Sequence, residues 1–165
     1  MTISKNVEKA LNSQLNSELY SAYLYLSIAA DMEAKSYTGM AHWFKLQAKE
    51  EVEHAMKFYN FILDRGGKVE LLSIEKPKKE WQNPLEAFQD AYEHEKKVTS
   101  LIYKLVELAQ NEKDYATLEM LQWFVKEQVE EEAQTQLIVE HLKMVGDSKN
   151  GILMIDHSLS KRGEE

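Results

Sequence analysis

The sequence predicts an all-α protein: four long helices in a bundle, one long crossover between the second and third, and a short fifth helix at the C-terminal end. Three observations carry that reading. Apolar residues recur every three or four positions along four long segments, the period of a helix with one buried face. The breakers are few and grouped, since six glycines and two prolines in 165 residues fall at or beyond the ends of those segments. Between the second and third segments, a stretch without clear period is long enough to run the length of a bundle.

Taken in order, Ser4 is placed to cap the first helix, and Val7, Leu11, Leu15, Glu18, Ala22, Tyr25 and Ala29 mark a stripe that continues to about Ala34. After a connection from Lys35 to Gly39, with Thr38 as expected cap, the second helix carries Phe44, Gln47, Glu51, His54, Phe58 and Phe61 on one stripe and stops at Gly66 and Gly67. The segment from Lys68 to Asn83 is read as the crossover. Helices of about 28 residues are roughly 40 Å long at 1.5 Å per residue, and some 15 extended residues at about 3.3 Å each cover that distance.

Pro84 suits the first turn of the third helix, whose stripe is Phe88, Ala91, Glu95, Val98, Ile102, Leu105 and Ala109. Asp114 is the expected cap of the fourth, with Leu118, Leu121, Phe124, Gln128, Glu131, Thr135, Ile138, Leu142 and Val145 inward. Gly146 and Gly151 bracket a break, and residues 151 to about 160 make a short fifth helix carrying Ile152, Leu153, Ile155 and Leu159. That piece is too small to stand alone and must pack on the bundle or on another subunit. Residues 161–165 read as a frayed tail, and the whole chain as one domain with its bundle over about 4–145.

Composition removes several classes of function. A net charge of -8 argues against nucleic acid or an anionic membrane as partner and favours cations. The absence of cysteine excludes disulfide scaffolds, thiolate metal sites, iron-sulfur clusters and cysteine nucleophiles, and fits a reducing compartment. The start lacks an apolar signal core and no stretch reaches the roughly 18 apolar residues of a membrane span. The expectation is a soluble, cytoplasmic protein.

Each long helix breaks its own apolar stripe near mid-length with an ionisable residue. In an antiparallel packing Glu18, Glu51, His54, Glu95 and Glu131 converge at one level, with Gln128 one turn from Glu131. Unpaired buried carboxylates each cost several kcal/mol, against a domain stability of about 5 to 15 kcal/mol. No Lys or Arg occupies neighbouring stripe positions, so a bound metal explains the constellation better than an internal ion-pair network. Carboxylates and one imidazole without thiolate suit iron or manganese, with zinc as a further option. Glu51, beside His54, is the natural bridging carboxylate for a two-metal site. The bland alternative is a helical scaffold whose buried polar residues fix helix register. Glu50, Glu53, Glu127 and Glu130 lie a step off the stripes and read as solvated acids from pattern alone. Tyr25 and Trp123 read as core, and His42, His94, His141 and His157 as surface histidines.

At these residues the sequence resembles the ferritins, and among them the bacterial non-haem ferritins. The matching stretches are Asn16-Ser17-Glu18-Leu19-Tyr20-Ser21, Ala48-Lys49-Glu50-Glu51-Val52-Glu53-His54, His94-Glu95 and the run from Trp123 to Glu132. The similarity extends from about residue 4 to residue 160. A ferritin-like bundle has one long crossover as a general feature, which agrees with the connection read above. The resemblance implies one iron at Glu18, Glu51 and His54 and a second at Glu51, Glu95 and Glu131, with Gln128 close by. It moves Glu50, Glu127 and Glu130 from solvated acids to ligands of a third iron position, and places Tyr25 and Trp123 beside the di-iron centre.

Two departures from relatives matter. Bacterioferritins carry a second Glu-x-x-His on the fourth helix, where this chain has Gln128-x-x-Glu131. They also bind haem through a methionine directly after the bridging glutamate, where this chain has Val52, so haem is not expected. The function implied is a ferroxidase that oxidises Fe(II) with dioxygen or hydrogen peroxide and stores the ferric product inside a homo-oligomeric shell of 24 subunits. A di-iron oxidase or peroxide scavenger without storage uses the same ligands and stays open at this point.

Overall fold

The computed structural model describes residues 2–164 and contains five helices: α1 (Lys5–Ala34), α2 (Thr38–Asp64), α3 (Pro84–Asn111), α4 (Tyr115–Val145) and α5 (Lys149–Leu159). Caps explain most of the boundaries. Ser4, Asn83, Asp114 and Ser148 each accept a backbone N–H of the first turn from their own side chains, and Pro84 opens α3 at the position where its missing N–H costs nothing. The second helix departs from the expected pattern. Thr38 is its first residue and not its cap, and Tyr37 at the cap position supplies no side-chain bond. The donor is satisfied from elsewhere: the Asp156 carboxylate on α5 accepts the Met40 N–H at 2.8 Å. At the far end Ile62, and not Phe61, completes the buried stripe.

Two hydrophobic clusters define the direction of every helix. One joins the C-terminal half of α1 with the N-terminal halves of α2 and α3 and the C-terminal half of α4, around Tyr25, Phe44, Phe88 and Ile138. The other joins the opposite halves, around Leu11, Phe58, Ile102 and Phe124. Helices α1 and α4 therefore run one way and α2 and α3 the other, which requires the crossover to travel the length of the bundle. Two buried residues of α1 hold that crossover. Asn12 bonds Lys68 O and Glu70 N at its start, and Asp31 accepts the Trp81 N–H near its end. Between the two apolar clusters, every long helix contributes a polar side chain to one layer.

The fifth helix is fixed by close backbone contact. A Cβ on Gly39 would lie 1.8 Å from the Asp156 carbonyl oxygen, so only glycine lets α5 approach α2 this closely. The tail after α5 is not frayed at Arg162, while Glu165 lies outside the described residues. Arg162 stacks on Trp43, with its guanidinium carbon 4.5 Å from the ring centroid, and donates to Trp43 O at 2.9 Å. No helix among the described residues is long and apolar enough to cross a membrane.

Candidate metal centre

Glu18 from α1, Glu51 and His54 from α2, Glu95 from α3 and Gln128 and Glu131 from α4 are all buried in the polar layer. Their positions follow from the helical period: each sits on the inward stripe midway between the two apolar clusters. Glu18, Glu51 and His54 each offer an atom to one group, and Glu51, Glu95 and Glu131 to another, the atoms within each group lying within 4.8 Å of one another. Glu51 belongs to both. His54 Nδ1 stands 3.2 Å from Glu51 Oε2 and 3.9 Å from Glu18 Oε2.

The remaining bonds orient these carboxylates. Tyr25, fully buried, donates its hydroxyl to Glu95 Oε1. Gln128 Nε2 donates to Glu95 Oε2 at 3.1 Å and lies 3.2 Å from Thr99 Oγ1, and Gln14 Nε2 donates to Glu18 Oε1 at 3.1 Å. Gln47 serves two acids, donating to Glu131 Oε2 at 2.5 Å and Glu51 Oε1 at 3.3 Å. Gln14 and Gln47 were legible in principle: each precedes a buried glutamate by one turn on the same stripe, the spacing at which helical side chains meet.

Electrostatically the layer is short of positive charge. Burial first, and then repulsion from Glu51 for Glu18 and from Glu95 for Glu51, hold both well above the usual carboxylate range. Burial raises Glu95 to about 7, with Glu18 adding to the shift while Tyr25 and Gln128 oppose it, and burial together with Glu95 raises Glu131 to about 8. No lysine or arginine is buried among the described residues, and Glu18 Oε2 is buried without a hydrogen-bond partner. Four clustered carboxylates, one imidazole and an orphaned carboxylate oxygen are the donor set of a divalent or trivalent oxygen-seeking metal, and the residues fit iron.

The three outer acids behave differently from one another. Glu127 joins His54 and Glu131 in a third group with ligand atoms within 4.8 Å. Glu50 is half-buried and ion-paired to Arg162 at 3.1 Å, and Glu130 is exposed. Neither belongs to a group of metal-ligand spacing among the described residues.

Several side chains depart from the sequence pattern. Trp123 is not core: it is 39% exposed, set edge-on to the His54 ring at 5.3 Å and covered by the Lys57 ammonium at 4.2 Å. His94 is not a surface histidine. It is half-buried, bonded to Ser21 Oγ at 2.7 Å, edge-on to Tyr25 at 5.9 Å, and burial followed by the nearby Lys97 lowers its pKa to about 4. His42 is also half-buried and bonded to Arg162 O at 2.8 Å. His141, His157 and Glu53 are exposed, and Val52 faces outward on α2.

This arrangement has close counterparts. The family model of the ferritin-like domain matches residues 8–145. A bacterial non-heme ferritin of Staphylococcus aureus is 41% identical over 160 residues, 97% of this chain and 96% of that protein, and one of Staphylococcus haemolyticus is 41% identical over the same span. Among solved structures, the open pore ferritin of the hyperthermophilic archaeon Archaeoglobus fulgidus superposes with a TM-score of 0.97 at 48% identity, covering 98% of this chain and 99% of that one. A helical bundle with one long crossover, a carboxylate layer contributed by all four long helices, and similarity of this extent in sequence and structure have one explanation: the chain belongs to the ferritin family.

Proposed function

We propose that the protein is a ferroxidase that takes up Fe(II), oxidises it at a paired site, and stores the ferric product as an oxyhydroxide mineral. The observation that carries this reading is the sharing of Glu51 between two buried groups of ligand spacing. A carboxylate common to both holds two ions as neighbours, so that a two-electron oxidant is served by one electron from each.

In this reading the substrate is Fe(II). Glu18 and His54 hold one ion, Glu95 and Glu131 the other, and Glu51 bridges them. Gln128 and Tyr25 fix the Glu95 carboxylate through their hydrogen bonds. Dioxygen, with two electrons and two protons, becomes hydrogen peroxide; hydrogen peroxide, with the same number of each, becomes water. The protons come from the water that the ferric product hydrolyses, which yields more than the two each reduction consumes; any held by the buried glutamates, whose pKa values burial raises, leave earlier, when Fe(II) binds. The ferric ions, more acidic than Fe(II), hydrolyse water and pass on to mineral. Glu50, Glu127 and Glu130 form a third iron position at the edge of the pair.

The container is a hollow shell of 24 copies in the cytoplasm, a reading supported by the family and by the charge of -8. Anaerobic Fe(II) titration should saturate near two or three ions per chain, and admission of air should give rapid ferric absorbance. Unchanged oxidation in Glu51→Ala, or a monomer in light scattering, refutes the reading.

A further inference from the structure

The tail beyond α5 brings a cation to the acid edge of the metal layer. The Arg162 Nη2 stands 3.1 Å from Glu50 Oε2 and 2.9 Å from Gln47 Oε1, while Nη1 donates to Trp43 O at 2.9 Å. Its side chain is only 13% exposed. A cleft of about 620 Å³ opens beside it, with Glu50, Gln134 and Arg162 among its walls. The placement is built in and not incidental. Gly39 and Asp156 lock α5 against the start of α2, and Trp43 provides a flat face under the guanidinium.

We propose that Arg162 is a resident cation that competes with metal for Glu50, so that the C-terminal tail is a latch on the third iron position. This rests on the third position assigned above to Glu50, Glu127 and Glu130. Two consequences follow from the geometry. While Arg162 is seated, one carboxylate of that position is already neutralised, so a third ion engages Glu50 only by displacing the guanidinium. The seated guanidinium also holds the Gln47 carbonyl outward, which turns the Gln47 amide toward Glu131 and Glu51. Arg162 is thus a positioning residue for the inner pair and a competitor at the outer site. Arginine suits both tasks, because its planar fork is always charged and bonds several acceptors at fixed angles.

The test is a Zn(II) titration of the intact shell, by calorimetry, on wild type, Arg162→Gln and Arg162→Lys. The latch requires a third site, weaker than the inner pair, that binds at least fivefold tighter in Arg162→Gln and near wild type in Arg162→Lys, while both inner sites stay tight and only the one on the Glu95–Glu131 side, which Gln47 orients, loosens in Arg162→Gln. A third site of unchanged or lower affinity in Arg162→Gln, with the two tight sites intact, overturns the latch and leaves the ferroxidase reading standing. Absence of any tight Zn(II) site in wild type overturns both. Wild-type crystals soaked in Zn(II) give a measurement independent of any variant. Anomalous density at Glu50 must coincide with an Arg162 turned away from it, and density there with the ion pair still formed refutes the competition.

Discussion

Gln47 donates to the Glu131 carboxylate across 2.5 Å while its own carbonyl faces Arg162, so one fully buried amide ties a proposed ligand to the C-terminal tail. Substitution by leucine keeps the volume and removes both bonds. Partners that orient ligands in this way typically contribute 10 to 100-fold in metal affinity. Gln47→Leu is expected to weaken the second of the paired sites by about that factor, with a smaller effect on the Glu18–His54 side, where Gln47 reaches the shared Glu51 across a longer 3.3 Å. Zn(II) calorimetry resolves the two. Equal weakening of both sites contradicts the assignment of Gln47 to Glu131.

The carboxylate layer also predicts an unusual response to apolar substitution. Without metal, Glu51 and Glu95 are buried beside other acids, and each destabilises the fold when charged. The double substitution Glu51→Leu with Glu95→Leu should raise the melting temperature of metal-free protein at pH 8, on the order of 1 to 4 kcal/mol in stability, and abolish both Fe(II) oxidation and the stabilisation of wild type by added Zn(II). A bundle held in register by these acids alone gives the opposite pattern: metal leaves the wild-type melting temperature unchanged.

How much of this was legible in the sequence depends on the range of the interaction. The four stripes and the residues that break them were readable, because a helix repeats locally and Glu18, Glu51, His54, Glu95, Gln128 and Glu131 interrupt that repeat at compatible depths. Local caps such as Ser4 and Asp114 were readable for the same reason. Thr38 failed as a cap because the group that satisfies the Met40 N–H, Asp156, lies 116 positions further along the chain, on α5. The 161–165 tail looked frayed because none of its own residues is apolar, whereas Arg162 is held by Trp43, Gln47 and Glu50 across the fold. His94 and Trp123 exchanged their expected environments: one step from a stripe, helix pattern does not say whether a neighbouring helix covers the side chain.

Gly39 offers a test of how α5 is held. A methyl group there meets the Asp156 carbonyl, which is backbone and has no rotamer to yield. Gly39→Ala should therefore push α5 away, break the bond from Met40 N to Asp156, and cost roughly 1 to 3 kcal/mol, the usual range for overpacking. Hydrogen exchange should rise in residues 149–159 and at Met40, leaving the middle of α1 and α3 protected. Exchange unchanged over α5 would mean that the helix is held by its apolar contacts alone.

The last prediction concerns pH. In the metal-free fold Glu95 is raised to about 7 and Glu131 to about 8 from an ordinary value of 4.5, chiefly by burial, and the neighbouring acids titrate with them as a coupled set. A raised acid keeps its proton in the folded state after the unfolded chain has lost it. Between pH 4.5 and about 8 the unfolded state therefore binds fewer protons, and the stability these groups contribute, complete below pH 4.5, is lost as pH rises through 7 and 8. Each such proton is worth on the order of 1 kcal/mol per pH unit within that window. Metal-free protein should melt at a lower temperature at pH 8 than at pH 6, and Glu95→Gln with Glu131→Gln should flatten that slope. Metal reverses the dependence, because binding expels the same protons: Zn(II) affinity should rise from pH 6 to pH 8, with proton release, read by calorimetry in buffers of different ionisation enthalpy, largest at the acidic end. A metal-free melting temperature that rises across this interval, with no proton release on loading, would mean that the carboxylates of the layer are already ionised in the empty fold.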